Sequence, residues 1–282
     1  MSVCVVYLAS PRSFEYVGHL RIDMLRVSLQ RTKQCLPNTD VFVFHEDYTE
    51  EDMASLPGVK EFIPIDFSGG DEHYNPKTER RKGYLQMCRF FCGPLQETPQ
   101  LQAYTHYIRM DDDSLFLEPY ISEARVRELL KYDYVYRTIY NEPPCLPDHA
   151  LWDFTLDFLR KEGVREHDIL DMKAMLKQSW LLNGDTWANN VPYNNFHLSS
   201  LALWKNPLVR RYLAAIEREG GILKYGWFDT TVQAMIAMVL RWFTRTSVAC
   251  DPTWGYRHNC HLSRMNEDPI GGTAADFFPR SL

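Results

Sequence analysis

The sequence predicts an α/β protein with a mixed, mainly parallel central sheet flanked by helices. Three observations carry this: an opening that alternates strand, helix and strand; strand and helix patterns that keep alternating to about residue 137; and a composition, 45% hydrophobic and 24% charged, ordinary for a chain that folds around a core. Val3–Leu8 is an apolar, β-branched run, and Ala9-Ser10-Pro11-Arg12 after it reads as a turn. Leu20, Met24, Val27 and Leu29 fall at helical spacing and predict a helix over 17–32. A second strand, Asp40–His45, follows the turn Pro37-Asn38-Thr39, so the chain opens on a βαβ unit. In open parallel sheets ligands sit at the carboxyl ends of the strands, here 9–12 and 45–47.

A short helix at 50–56 and a strand at 60–65 continue the alternation, and 68–82 is a polar, glycine-containing stretch that predicts a flexible loop. A helix at 84–91 precedes a strand at 104–110 that runs directly into Asp111-Asp112-Asp113. A helix at 123–131, a strand at 132–137 and helices at 149–162 and 168–181 follow, then Asn194-Asn195-Phe196-His197 and a helix at 208–219 stopped by Gly220-Gly221. A last helix opens at Asp229, placing its carboxylate at the N-cap or first turn, where the helix dipole favours the ionised form. No internal repeat or low-complexity tract interrupts this order, and 282 residues suit one large α/β unit.

Lys and Arg number 31 against 37 Asp and Glu, a net charge of -6, which excludes general affinity for nucleic acid or anionic membrane. The longest apolar approach, 230–243, is broken by Gln233 and Arg241, so no transmembrane segment is predicted; the apolar run at 3–8 is too short for a signal peptide and reads as a strand. Seven cysteines without paired ligand spacing predict buried thiols instead of a zinc ribbon and suit a reducing compartment. The aromatic share, 13%, is enough to fill a core and to line a cleft with rings.

Three carboxylates ending an apolar strand repel one another unless something positive sits among them, and a divalent cation is the economical answer. In such an Asp-x-Asp, one carboxylate reaches ribose or metal-bound water, while the other binds Mn2+ or Mg2+ that neutralises a diphosphate. Ala9, Ser10 and Arg12 at the end of the first strand offer backbone contacts and a cation to the same nucleotide.

Around this cluster the chain resembles a known family. Tyr84-x-x-Met87-Cys88-Arg89-Phe90, the acidic strand end, Asn195-Phe196 with Leu201-x-Leu203-Trp204 and Pro207, Gly220-Gly221 with Trp227-x-Asp229, and Gly255-Tyr256-x-His258 with Cys260 stand in one order across 84–260. Together they resemble the fungal α-1,2-mannosyltransferases of the Kre2/Mnt1 type, glycosyltransferase family 15. The resemblance implies a type A glycosyltransferase fold, with a Rossmann-like nucleotide-binding half (about 1–115) fused to an acceptor-binding, catalytic half (about 116–282) in a single domain. It implies a nucleotide-sugar donor, a glycan or glycoprotein acceptor, and Mn2+ held by Asp113 and His258. Tyr84 and Arg89 become candidate donor contacts, a ring for the base and a guanidinium for the diphosphate.

Two positions depart from the family. Asp111-Asp112-Asp113 stands where it usually has Glu-Pro-Asp, which leaves GDP-mannose and a UDP-sugar both open as donors. His197 stands where it has the carboxylate proposed to face the anomeric carbon; imidazole cannot act as a carboxylate nucleophile, so Asp229 is the better catalytic candidate and His197 the second. Trp227, Asn195 and Trp180 are candidate substrate contacts, with Trp204 and Tyr225 as further rings for stacking on sugar faces. A metal-dependent phosphohydrolase using Asp111 and Asp113 and a non-catalytic carbohydrate-binding protein are the competing readings. Fungal members are anchored in the Golgi by an N-terminal membrane segment; with none before the first strand, we expect cytoplasmic action, the alternative being a Golgi-lumen domain without its anchor.

Overall fold

The computed structural model describes residues 2–16, 19–117, 121–253 and 255–258; Cys260 lies outside them. A seven-stranded sheet organises the described residues: β1 (Val3–Leu8), β2 (Asp40–His45), β3 (Glu61–Pro64), β4 (His106–Asp111), β5 (Tyr134–Tyr136), β6 (Phe196–Ser200) and β7 (Val248–Cys250), in the order β7-β5-β6-β4-β1-β2-β3. All run parallel except β6, which pairs antiparallel with β4 and β5. Strands from both ends of the chain thus join one sheet.

The two-residue period of the strands divides the core. Cys4 and Val6 of β1 face one layer with Phe42, Phe44 and Tyr107, and Val5 and Tyr7 face the other with Val41, Val43, Ile108 and Met110. Both faces of the central strands are buried, which explains why β1, β2 and β4 read as near-continuous apolar runs. Helix α1 (Arg21–Cys35) covers the second face, where Tyr7 Oη meets Ser28 Oγ at 2.9 Å and Thr32 Oγ1 at 2.7 Å, satisfying a buried hydroxyl. Ser28 also donates to the Ser114 carbonyl, tying α1 to the acidic loop. The periodicity placed this helix at 17–32; it starts at Arg21 because Glu15–Tyr16 and His19–Leu20 pair as a ribbon first.

The opposite face is covered by α2 (Lys82–Phe90), α3 (Leu151–Lys161), α4 (Glu166–Gln178), α5 (Pro207–Glu219) and α6 (Asp229–Ala234), which runs on through a π-helical turn at Met235–Leu240. Helix α5 shows why such a segment folds: Asn206 Oδ1 accepts from the Leu208 N–H at 2.9 Å, Pro207 occupies the first turn, and Val209, Tyr212 and Ile216 form the buried stripe. Gly220 ends it at φ +66°, and Gly221 leaves room for the Trp227 ring, which a Cβ there would strike.

Two expectations change. The stretch 68–82, read as a flexible loop, contains 3-10 turns at Asp71–His73 and Pro76–Thr78, and the Asn75 N–H and side-chain amide donate to the Leu223 and Lys224 carbonyls at 3.1 and 3.0 Å. Residues around His197, left without an assigned element, form the central strand β6; its polar side chains mask the strand pattern because they bond internally, as in Trp204 Nε1 to Ser199 Oγ at 2.8 Å.

Candidate active site

Strand β1 lies between β2 and β4, so the chain order reverses there, the place where open α/β sheets bind ligands at their strands' carboxyl ends. The acidic run sits at that end, Asp111 opposite Leu8 of β1. Asp111 ends β4 with its N–H on the Asn195 carbonyl at 3.3 Å, and a turn closed by the Ser114 N–H on the Asp111 carbonyl at 3.0 Å carries Asp112 and Asp113. Leu115–Phe116 then pairs antiparallel with Tyr256–Arg257. This ribbon delivers His258: its Nδ1 lies 3.1 Å from Asp113 Oδ1 and 2.9 Å from Ser114 Oγ. The Tyr256 hydroxyl anchors the ribbon by donating to Asn195 Oδ1 at 2.7 Å. Ligand atoms of Asp111, Asp113 and His258 all lie within 4.8 Å of one another.

Two arginines hold the carboxylates apart. Arg21, the first residue of α1, pairs with Asp112 and with Asp113, the latter at 2.8 Å, and Asp112 also accepts the Ser10 N–H at 2.9 Å. Arg109, buried in β4 with its guanidinium 3.6 Å from the centre of the Phe91 ring, pairs with Asp111 at 3.2 Å and with Asp229, which also accepts from Asn194 Nδ2 at 2.9 Å. Four carboxylates therefore meet two guanidiniums, a deficit of two positive charges. Burial pushes the Asp111 pKa up against the pull of Arg109. Burial acts the same way on Asp113, but His258 and Arg21 outweigh it and hold that carboxyl below its ordinary value. His258 is desolvated, yet Asp113 raises its pKa. Asp113 Oδ1 is buried with no donor aligned on it, a costly state that a cation would relieve. Two hard carboxylates, an imidazole and a charge deficit of two fit Mn2+ or Mg2+.

The structure places the other predicted residues as follows. Asp229 is buried in the Arg109 ion pair and is the first residue of α6, after the cap Phe228. Tyr84 on α2 is 40% exposed, its ring 5.8 Å from Phe228. Asn195 is buried, its Nδ2 unpaired among the described residues. Several expectations need correction. His197 lies inside the sheet, stacked on Tyr134 at 5.0 Å with Nδ1 2.8 Å from the Asn194 carbonyl; burial and Arg109 push its pKa down to about 3, so it is a neutral core residue with no access to a sugar. Arg89 turns to α5, where Nε lies 3.0 Å from each Glu217 carboxylate oxygen. The amides of Ala9, Ser10 and Arg12 are already engaged, by the Phe44 carbonyl, Asp112 and Asp47, and the Arg12 guanidinium reaches Asp52 at 3.4 Å.

The predicted aromatic platform is also redistributed. Trp227 is core, donating to the His149 carbonyl at 2.7 Å; Trp204 is core as well; Tyr225 stacks on His149 at 4.2 Å. Trp180 is 83% exposed but borders a groove lined by Tyr136, Met175, Met238 and Arg241, which none of the acidic cluster lines. Sequence reading missed Arg21 and Arg109. Arg109 had a local signal, a charge inside an apolar strand two residues before Asp111; Arg21 had only an unfavourable position, a cation opening a helix.

The model of one protein family, described as glycolipid 2-alpha-mannosyltransferase, matches residues 72–270. The chain belongs to this family. Curated relatives include the O-glycoside alpha-1,2-mannosyltransferase homolog 2 of Schizosaccharomyces pombe, 26% identical over 160 residues (55% of this chain, 40% of the relative), and the glycolipid 2-alpha-mannosyltransferase of Saccharomyces cerevisiae, 24% identical over 191 residues (65% and 41%). The matches thus span about 40% of the length of these relatives. Among solved structures, core-mannan synthase A from Aspergillus fumigatus in its Mn/GDP form is similar with a TM-score of 0.74 at 16% identity (100% of this chain, 81% of that one), and the mannosyltransferase Ktr4p from S. cerevisiae with 0.72 at 16% (92% and 70%). The fold is the type A glycosyltransferase fold. Membership also corrects the expectation of cytoplasmic action: these relatives are the fungal mannosyltransferases for which the resemblance implied a Golgi-lumen domain, and that alternative fits better. The buried thiols of Cys4, Cys35, Cys88 and Cys92 are explained by packing and say nothing of compartment.

Proposed function

We propose that this chain carries the centre of a divalent-metal-dependent glycosyltransferase that moves one sugar from a nucleoside-diphosphate sugar to a hydroxyl of a glycan acceptor, with GDP-mannose as donor. The observation that carries this is the Asp111, Asp113 and His258 cluster at the switch point of the sheet, where Asp113 Oδ1 is buried with the His258 imidazole beside it and no donor aligned on it. Family membership supports the reaction class, and the Mn/GDP form of the Aspergillus relative supports the guanine nucleotide and the metal. Asp111, Asp113 and His258 would hold Mn2+, which when bound neutralises the departing diphosphate. Arg21 aims Asp112 and Asp113 and helps to hold Asp113 ionised, and Arg109 aims Asp111. Residues 1–115 supply the donor side and residues 116–282 the acceptor side of the cleft, where the exposed Tyr84 ring is available to substrate.

Calorimetric titration with GDP-mannose and UDP-sugars, with and without Mn2+, tests this together with transfer to a mannoside. Mn2+-dependent GDP-mannose binding and transfer are expected. Tighter binding of UDP-sugars would overturn the donor assignment, and release of phosphate without transfer would favour hydrolysis.

A further inference from the structure

The bend ahead of strand β6, Asn194-Asn195, touches the acidic site at three points. The Asn194 side-chain amide donates to Asp229 Oδ2 at 2.9 Å, on the oxygen that also meets Arg109. The Asn195 carbonyl accepts the Asp111 N–H at 3.3 Å, and Asn195 Oδ1 accepts the hydroxyl of Tyr256, on the ribbon that delivers His258. Both asparagines are buried, and β6 begins only at Phe196. The side chain that fastens this bend is His197, whose Nδ1 lies 2.8 Å from the Asn194 carbonyl. A carbonyl only accepts, so Nδ1 carries the proton and Nε2 is the bare nitrogen. Nε2 lies 3.5 Å from the Tyr107 hydroxyl, which accepts from Gln96 Nε2 at 2.9 Å and keeps its own proton for the imidazole. The ring itself is gripped by the stacked Tyr134 and, edge-on at 5.7 Å, by Tyr107. In the sheet His197 stands opposite Arg109, and its neutral ring adds no charge beside the Arg109 and Asp229 pair.

We propose that His197 is a positioning residue of the metal centre: through the Asn194 carbonyl, its imidazole sets the bend that presents Asn194 to Asp229 and Asn195 to Asp111 and Tyr256. The inference rests on the metal-dependent reading above. The ring touches no substrate and its proton stays on Nδ1. Without that donor the buried Asn194 carbonyl loses its partner, a cost that a shift of the bend would relieve. Such a shift moves the two contacts of Asn195 together, one at the end of β4 and one on the His258 ribbon. Histidine suits the place because it offers a neutral donor at one nitrogen, an acceptor at the other and a flat face for Tyr134. A carboxylate here could not donate to the carbonyl. Groups that hold metal ligands in place typically contribute about 10–100-fold to metal affinity, which sets the size of the effect.

Two variants separate the hydrogen bond from the packing. His197→Asn keeps an N–H near the place of Nδ1 and gives up the ring, whereas His197→Phe keeps a ring and gives up the donor. Mn2+ affinity is measured by calorimetry, with melts in chelator to check folding and Mn2+-dependent transfer from GDP-mannose as a second readout. The Phe variant is expected to bind Mn2+ about 10–100-fold more weakly and to lose kcat in similar measure, while the Asn variant stays within about threefold of the unaltered chain. The reverse order, or an Asn variant that does not fold, makes His197 a packing residue only and overturns the proposal. Equal affinities in both variants overturn it as well. If the Phe variant does not fold, His197→Gln replaces it, since its amide reaches the place of Nε2 instead; Mn2+ affinity equal to that of the Asn variant then overturns the role. No Mn2+ binding by the unaltered chain would sink the metal-centre reading itself, whereas tight binding that the Phe variant keeps sinks only this role.

Discussion

In the proposed metal centre, protonation of His258 sets whether the acidic cluster accepts a cation. Its pKa is raised in the folded chain because Asp113 and Asp111 outweigh the cost of burial. A raised pKa means that, without metal, the imidazolium stabilises the fold fully below the ordinary histidine pKa, and that this contribution is lost as pH rises through the raised value. Metal binding has the opposite sign, since the ligand form is neutral imidazole. We therefore expect Mn2+ affinity to climb with pH over the window in which metal-free stability declines; paired Mn2+ titrations and thermal melts in chelator check this, and His258→Asn should flatten both curves. At this scale Asp113 and His258 were legible because their motifs are short and ordered. Arg21 was not, since its partners Asp112 and Asp113 stand 91 and 92 residues away in the chain.

Strand β4 is an element in which one charged side chain does two jobs. Arg109 joins the metal-side Asp111 to Asp229 of α6, so it both orients the site and closes the sheet against that helix. Arg109→Leu leaves Asp229 buried without its cation and is expected to destabilise the fold by about 3–5 kcal/mol, measured by urea denaturation. At the start of the short helix Gly221–Tyr225 between α5 and α6, Gly221→Ala sets a Cβ against the Trp227 ring, which is itself held by the His149 carbonyl. That overpacking is expected to cost about 1–3 kcal/mol, seen as a lower denaturation midpoint. The elements of β1 and β2 were readable because both faces are buried and apolar, while β6 was not, because its polar side chains find their partners inside the protein.

The whole molecule carries a net charge of -6 and yet is read as binding a diphosphate. Metal is the means by which an acidic chain does so, now that Arg89 is engaged by Glu217 and Arg12 lies toward Asp52. Mn2+ with GDP, each at about 100 times Kd, should then stabilise the fold by at least ~2.7 kcal/mol over chelator, roughly 5–10 °C in Tm. An unchanged Tm would count against the cluster as a metal centre. By itself the sequence determined the α/β alternation, the place of the acidic strand end and the family, because each is written in residues near one another along the chain. The tertiary structure alone decided that Arg21 meets Asp112 across 91 residues, that Arg109 meets Asp229 across 120, and that His197 is stacked out of reach inside the sheet. Those outcomes depend on which faces the packed layers bury and which charges burial forces together, and no local pattern encodes either.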